Sequence, residues 1–299
     1  MTESMSDEKI RGIITPMLTP FDSSEELDEK RVLRLIDHLL DGGVYGLFPS
    51  ASIGEFSSMT VDERKRLIEV VMDKVEGEVP VMPGTGSSSL RDTLELTTFA
   101  EKLDCRAAIV ITPYYLKPGQ EGLKKYYERI AVKVDLDLIL YQLPRATGVR
   151  FEPETVADLA SEHDNIVGIK DSSGDLAGLL KIHRETGDDF VILQGKDDLL
   201  LSSLTAGMDG GVPGTSNIVP ELAVEVYESF IEGEVERAMS LQREKLSVLS
   251  DFCTEQGEFP AGYKALARRV GLDLGVPRTP ITEVDQELLE GISLSEFYP

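Results

Sequence analysis

Apolar, β-rich runs recur along the chain with stretches of helical periodicity between them. The runs fall at residues 10–14, 44–48, 79–82, 107–111, 136–141, 166–169, 190–193 and 210–212. Segments 29–40, 61–75, 90–103, 122–134, 153–161, 175–184 and 199–206 carry apolar side chains at the three- and four-residue spacing that forms one face of a helix. A strand that is apolar without alternation is buried on both faces, and helices must supply that cover, which points to a parallel sheet. Eight strand and helix units predict an α/β fold closed into a (β/α)8 TIM barrel, with an open doubly wound sheet as the alternative.

Beyond the last run, residues 220–232 read as the final barrel helix, and 235–252 and 261–270 extend the helical pattern. The expected organisation is a polar tail at 1–9, a catalytic barrel at 10–232 and a helical extension at 233–299 that is not a second catalytic domain.

Composition narrows the setting. No apolar run approaches the roughly 20 residues of a membrane span, and the acidic start lacks the basic-then-apolar form of a signal or transit peptide, so a cytoplasmic protein is expected. Cys105 and Cys253 match no zinc or redox spacing and read as free core thiols. A net charge of −24 repels nucleic acid and anionic membranes and leaves a small molecule as the expected partner. The carboxylates are scattered, as on a solvated face, and suit a halophilic protein of a haloarchaeal, high-salt cytoplasm, where salt screens self-repulsion.

Catalytic groups of a barrel sit at the C-terminal strand ends, so the polar residues after each run carry the candidate chemistry. Lys170 closes the run 166–169. An ammonium in an apolar interior loses hydration and its pKa falls; the free amine then attacks a ketone, and the iminium withdraws electrons from the adjacent carbon. The competing reading is a lysine that snorkels to solvent. Imine formation needs a proton shuttle, for which Tyr141 ends the neighbouring run, although a buried tyrosine is more often structural. The Ser52-Ile53-Gly54 turn offers a hydroxyl and backbone N–H groups to a carboxylate, or is an ordinary turn.

Other signals are weaker. Gly84-Thr85-Gly86-Ser87-Ser88 lacks the lysine of a P-loop and reads as a turn with a serine N-cap. His38, His163 and His183 have no mutual metal spacing, so no metal is expected. Glu55 as half of a glycosidase acid pair has no second acid at a defined distance.

In order along the chain, Gly12 to Pro16, Ala51 to Glu55, Thr112 to Tyr115, Tyr141 to Gly148 and Gly168 to Asp171 resemble the motifs of the dihydrodipicolinate synthase and N-acetylneuraminate lyase superfamily of Schiff-base barrels. The resemblance covers nearly the whole chain, including the stretch from Leu204 to Gly211 followed by Asn217. It implies that Lys170 forms the imine with pyruvate or another 2-oxo acid, with no separate cofactor. Tyr141 would transfer protons, Ser52 would relay them, and Tyr115 would be lent across a subunit contact in a homotetramer.

Departures from the pattern bear on substrate. Ile53 replaces a threonine, leaving only its N–H for a carboxylate. The arginine of synthases that take aspartate semialdehyde is replaced by Ala146, with Arg145 one step earlier. Ser172 and Asp197 stand where sugar-acid members contact a polyol chain, with a helix N-cap and a solvated acid as competing readings. Gly195 and Val212 complete the expected substrate-binding set, and Arg145 or Lys117 would meet a terminal phosphate. The expected activity is a class I aldolase cleaving 2-keto-3-deoxygluconate or its 6-phosphate. Its alternatives are a 4-hydroxy-tetrahydrodipicolinate synthase, an N-acetylneuraminate lyase, a keto-deoxy sugar acid dehydratase, or a binding barrel that has lost catalysis.

Overall fold

Seven parallel strands lie in the order β2-β1-β7-β6-β5-β4-β3 in a computed structural model that describes residues 9–285, 289 and 293–299. Most of the expected tail therefore lies outside the described residues. The strands are β1 (Gly12–Pro16), β2 (Gly46–Phe48), β3 (Ala108–Ile111), β4 (Leu138–Gln142), β5 (Ile166–Asp171), β6 (Val191–Gln194) and β7 (Gly210–Gly211).

The run at 79–82 does not form the regular strand that its hydrophobicity predicts. Pro80 and Pro83 lack N–H groups and cannot complete a ladder. The segment still bonds to both neighbours: Leu47 N–H donates to the Pro80 carbonyl at 2.9 Å, and Ile109 N–H donates to that of Pro83 at 2.9 Å. Single parallel bridges at Leu47/Val81 and Gly84/Ile109 close the barrel between β2 and β3.

Helices α1 (Glu29–Asp41), α2 (Val61–Val75), α3 (Leu90–Lys102) and α4 (Gln120–Ala131) cover the first half of the barrel. A short turn, α5 (Pro144–Thr147), precedes α6 (Pro153–Glu162), α7 (Leu176–Thr186), α8 (Leu200–Thr205) and α9 (Pro220–Ile231). The periodicity is used directly: α1 buries Val32, Leu35, Ile36 and Leu39, each worth about 1.5–3 kcal/mol when removed from water. The serine cap expected within 84–88 falls one residue later, at Ser89, whose hydroxyl accepts from Asp92 N–H at the start of α3. Both cysteines are buried, and burial pushes the Cys105 thiol up to about 12.

Alternation along the strands sorts their side chains. Ile109, Ile139 and Leu193 pack in the cluster inside the barrel, whereas Val110, Leu140, Ile169 and Ile192 join the cluster beneath the helices. With Ile169 facing outward, the period of two turns Lys170 inward.

The extension holds α10 (Val235–Leu241), α11 (Ser247–Glu255) and α12 (Ala261–Arg269). The uninterrupted helix expected at 235–252 is broken by a π-helical turn at Gln242–Leu246. Gln242 accepts from Leu201 N–H and donates to the Asp197 carbonyl, both at 3.1 Å, so this turn braces the loop after β6. No helix among the described residues is long and apolar enough to cross a membrane.

Candidate active site

Parallel pairing sets Tyr141 of β4 directly beside Lys170 of β5. Both are buried, and Lys170 Nζ lies 4.2 Å from the centre of the Tyr141 ring and 4.8 Å from that of Phe48. Desolvation lowers the Lys170 pKa, and Tyr141 offsets part of that effect. The direction favours the neutral amine that a nucleophile needs. The Ser52 hydroxyl lies 3.2 Å from that of Tyr141, so the lysine, phenol and hydroxyl form a continuous set.

These groups open into a cavity of about 310 Å3 at the C-terminal strand ends. Ser52, Ile53, Tyr141 and Lys170 line it together with Arg145, Ser172, Gly195, Asp197 and Val212. The close approach of β5 and β6 requires Gly195, because a Cβ there would sit 2.1 Å from Ser172 Oγ. The Ser172 hydroxyl is turned to the Gly195 carbonyl at 3.4 Å.

Asp197 is not a solvated acid. Its carboxylate accepts from Gly214 N–H at 3.1 Å, Thr215 N–H at 2.9 Å and the Thr215 hydroxyl at 2.6 Å, tying the loop after β6 to the turn after β7. Three donors take three of its roughly four lone-pair sites and hold the carboxylate in place, which leaves little capacity for a polyol.

Arg145 is exposed at the cavity edge, its guanidinium 5.2 Å from the centre of the Phe259 ring. Lys117 packs against Gly148 and does not line the cavity. Tyr115 is not brought to it either. It is 91% exposed with φ of 74°, a left-handed backbone that costs a tyrosine about 1–3 kcal/mol.

One wall of the cavity comes from residues not expected at the site. Ser250, Thr254, Phe259 and Tyr263, all from the extension, line the cavity with Lys196 and Asp198. One signal was present: Lys264 interrupts a helix whose residues from Ala261 to Ala267 are all buried. Its ammonium lies 2.7 Å from Glu55 Oε1 and is 2% exposed, which locks α12 onto the Ser52-Ile53-Gly54 turn. Glu55 is thus an ion-pair partner rather than half of a glycosidase acid pair. Away from the cavity, Glu128, Glu162 and His163 offer ligand atoms within 4.8 Å of one another, but Lys124 already pairs with Glu162 at 2.6 Å.

The family model for the dihydrodipicolinate synthetase family matches residues 9–293. The 4-hydroxy-tetrahydrodipicolinate synthase of Methanopyrus kandleri is 41% identical over 94% of each chain. Among solved structures, YagE of E. coli K12 in complex with pyruvate superimposes with a TM-score of 0.92 at 31% identity, covering 96% of this chain and 98% of that one. A 2-keto-3-deoxygluconate aldolase from Picrophilus torridus has a TM-score of 0.87 at 34% identity, covering 92% and 98%. The synthase name recurs across curated relatives of up to 41% identity, and this overturns the sugar-acid aldolase expectation. The inference from Ala146 and Asp197 failed on physical grounds as well, because Arg145 still lines the cavity and Asp197 is held by the backbone. The chain belongs to the dihydrodipicolinate synthetase family, whose members are pyruvate-dependent carbon–carbon lyases.

Proposed function

We propose that this enzyme is a 4-hydroxy-tetrahydrodipicolinate synthase, condensing pyruvate with aspartate semialdehyde. The observation that carries the reading is Arg145 at the edge of the cavity that holds Lys170. A three-carbon 2-oxo acid bound as its imine needs no second cation at the cavity edge, whereas an acceptor with its own carboxylate does. The curated relatives that bear the synthase name support the same reading.

In this reaction the Lys170 amine adds to the pyruvate ketone and water leaves, forming an iminium. Tyr141, hydrogen-bonded to Ser52, carries the proton between nitrogen and the departing hydroxyl. The Ile53 N–H meets the pyruvate carboxylate. Loss of a C3 proton gives the enamine, C3 bonds to the aldehyde carbon, and the aldehyde oxygen takes up a proton. The acceptor's amino group then adds to C2 and displaces Lys170, closing the ring and returning the free amine.

Two further features belong to this reading. The exposed Tyr115 suits a homotetramer in which a second copy covers it, and the net charge of −24 suits a cytoplasm of high salt. Incubation with pyruvate and aspartate semialdehyde tests the activity: a cyclised product is expected. Consumption of neither substrate, in dilute buffer or molar KCl, refutes the assignment.

A further inference from the structure

Among the polar groups of the cavity that the chemistry above does not use, one is held rigidly by its packing. Tyr263 lines the cavity from α12, is 4% exposed, and makes no hydrogen bond through its hydroxyl among the described residues. The hydroxyls of Ser52, Ser172 and Thr254 are engaged, with Tyr141, the Gly195 carbonyl and the Ser250 carbonyl respectively. A cavity-lining hydroxyl without a protein partner can donate to a substrate that accepts its hydrogen bond.

The ring is fixed in place. Its edge packs on Gly214, where a Cβ would lie 2.8 Å from Cε1 and 3.1 Å from Cζ, so only glycine leaves room. On its other side Phe259 meets it edge-on, with centroids 6.0 Å apart, and Phe259 is also the ring beneath Arg145. Tyr263 and Arg145 therefore share one end of the cavity. Lys170, Asp197 and Tyr263 all line the same cavity. Burial keeps the phenol protonated at neutral pH, which makes it a donor.

We infer that Tyr263 is a specificity-determining residue for the second substrate, donating its hydrogen bond to a short, carboxylate-bearing aldehyde whose charge rests on Arg145. This rests on the condensing reaction proposed above. It assigns acceptor selection to the extension while the strand ends hold pyruvate.

Tyr263→Phe keeps the ring packing on Gly214 and removes only the hydroxyl. The expected result is a kcat/KM for aspartate semialdehyde about tenfold lower, the loss of one hydrogen bond. Borohydride trapping of pyruvate should stay within about twofold of wild type. Unchanged acceptor kinetics overturn the inference, as does a parallel fall in trapping, which would place the phenol at the pyruvate end. A wild-type enzyme that is inactive on the semialdehyde but condenses pyruvate with another short aldehyde refutes the synthase assignment alone. The Tyr263 comparison is then read on that aldehyde with the same criteria. A wild-type enzyme that traps pyruvate but condenses it with no aldehyde overturns both.

Discussion

Lys264→Met removes the cation from an ion pair whose partners are 2% and 4% exposed and 2.7 Å apart. Glu55 Oε2 keeps the Arg278 N–H at 2.7 Å, but Oε1 loses its ion-pair partner, and the Val276 carbonyl loses a donor at 2.7 Å. Leaving one member of a buried pair without its counter-ion costs about 3–5 kcal/mol. For a chain of 299 residues, that lowers Tm by roughly 5–8 °C. Glu55→Gln should cost a similar amount by stranding the Lys264 ammonium. The double variant strands neither charge, so its loss should fall short of the sum by about 2 kcal/mol or more. Urea or thermal unfolding of the three variants measures the cycle. Losses that add to within about 0.5 kcal/mol refute the claim that this pair fastens the extension to the catalytic turn. Because Glu55 sits in the same turn as Ser52 and Ile53, pyruvate trapping should also slow in both single variants and recover in part in the double variant.

Other expectations follow from the same geometry. Desolvation lowers the Lys170 pKa below its ordinary 10.5, and the neutral form attacks, so trapping should accelerate as pH rises through an inflection below that value; an inflection at or above it contradicts the buried-amine argument. Asp197→Ala deletes three accepted hydrogen bonds, at about 1.5–3 kcal/mol for each bond to a charged group, and should lower stability by several kcal/mol. Wild-type stability in that variant would return Asp197 to the role of a free substrate contact. With a net charge of −24, activity and Tm should rise with KCl from dilute buffer toward molar concentrations, and full activity at low salt counts against a high-salt setting.

The barrel was legible because its strands are buried on both faces and therefore read as unbroken apolar runs. The same rule misled at 79–82, where hydrophobicity marked a wall segment but Pro80 and Pro83 withheld the ladder donors. Lys170 and Tyr141 could be read from position because strand ends and the period of two fix where such side chains point. Asp197 could not, since its three donors come from a turn that only the closed barrel brings near. Tyr263 was invisible for a similar reason: nothing in a helical pattern tells which face of an appended helix roofs a cavity built by distant strands. Ala146 was given too much weight, because a one-residue shift in a short turn still leaves Arg145 at the cavity edge.

Borohydride reduction in the presence of pyruvate, followed by intact mass and peptide mapping, tests the central claim most directly. The wild-type chain should gain one reduced pyruvyl group, located at Lys170, and Lys170→Ala should gain none. A wild-type chain without the added mass, or a Lys170→Ala chain that still acquires it, would contradict the assignment of Lys170 as the imine-forming residue.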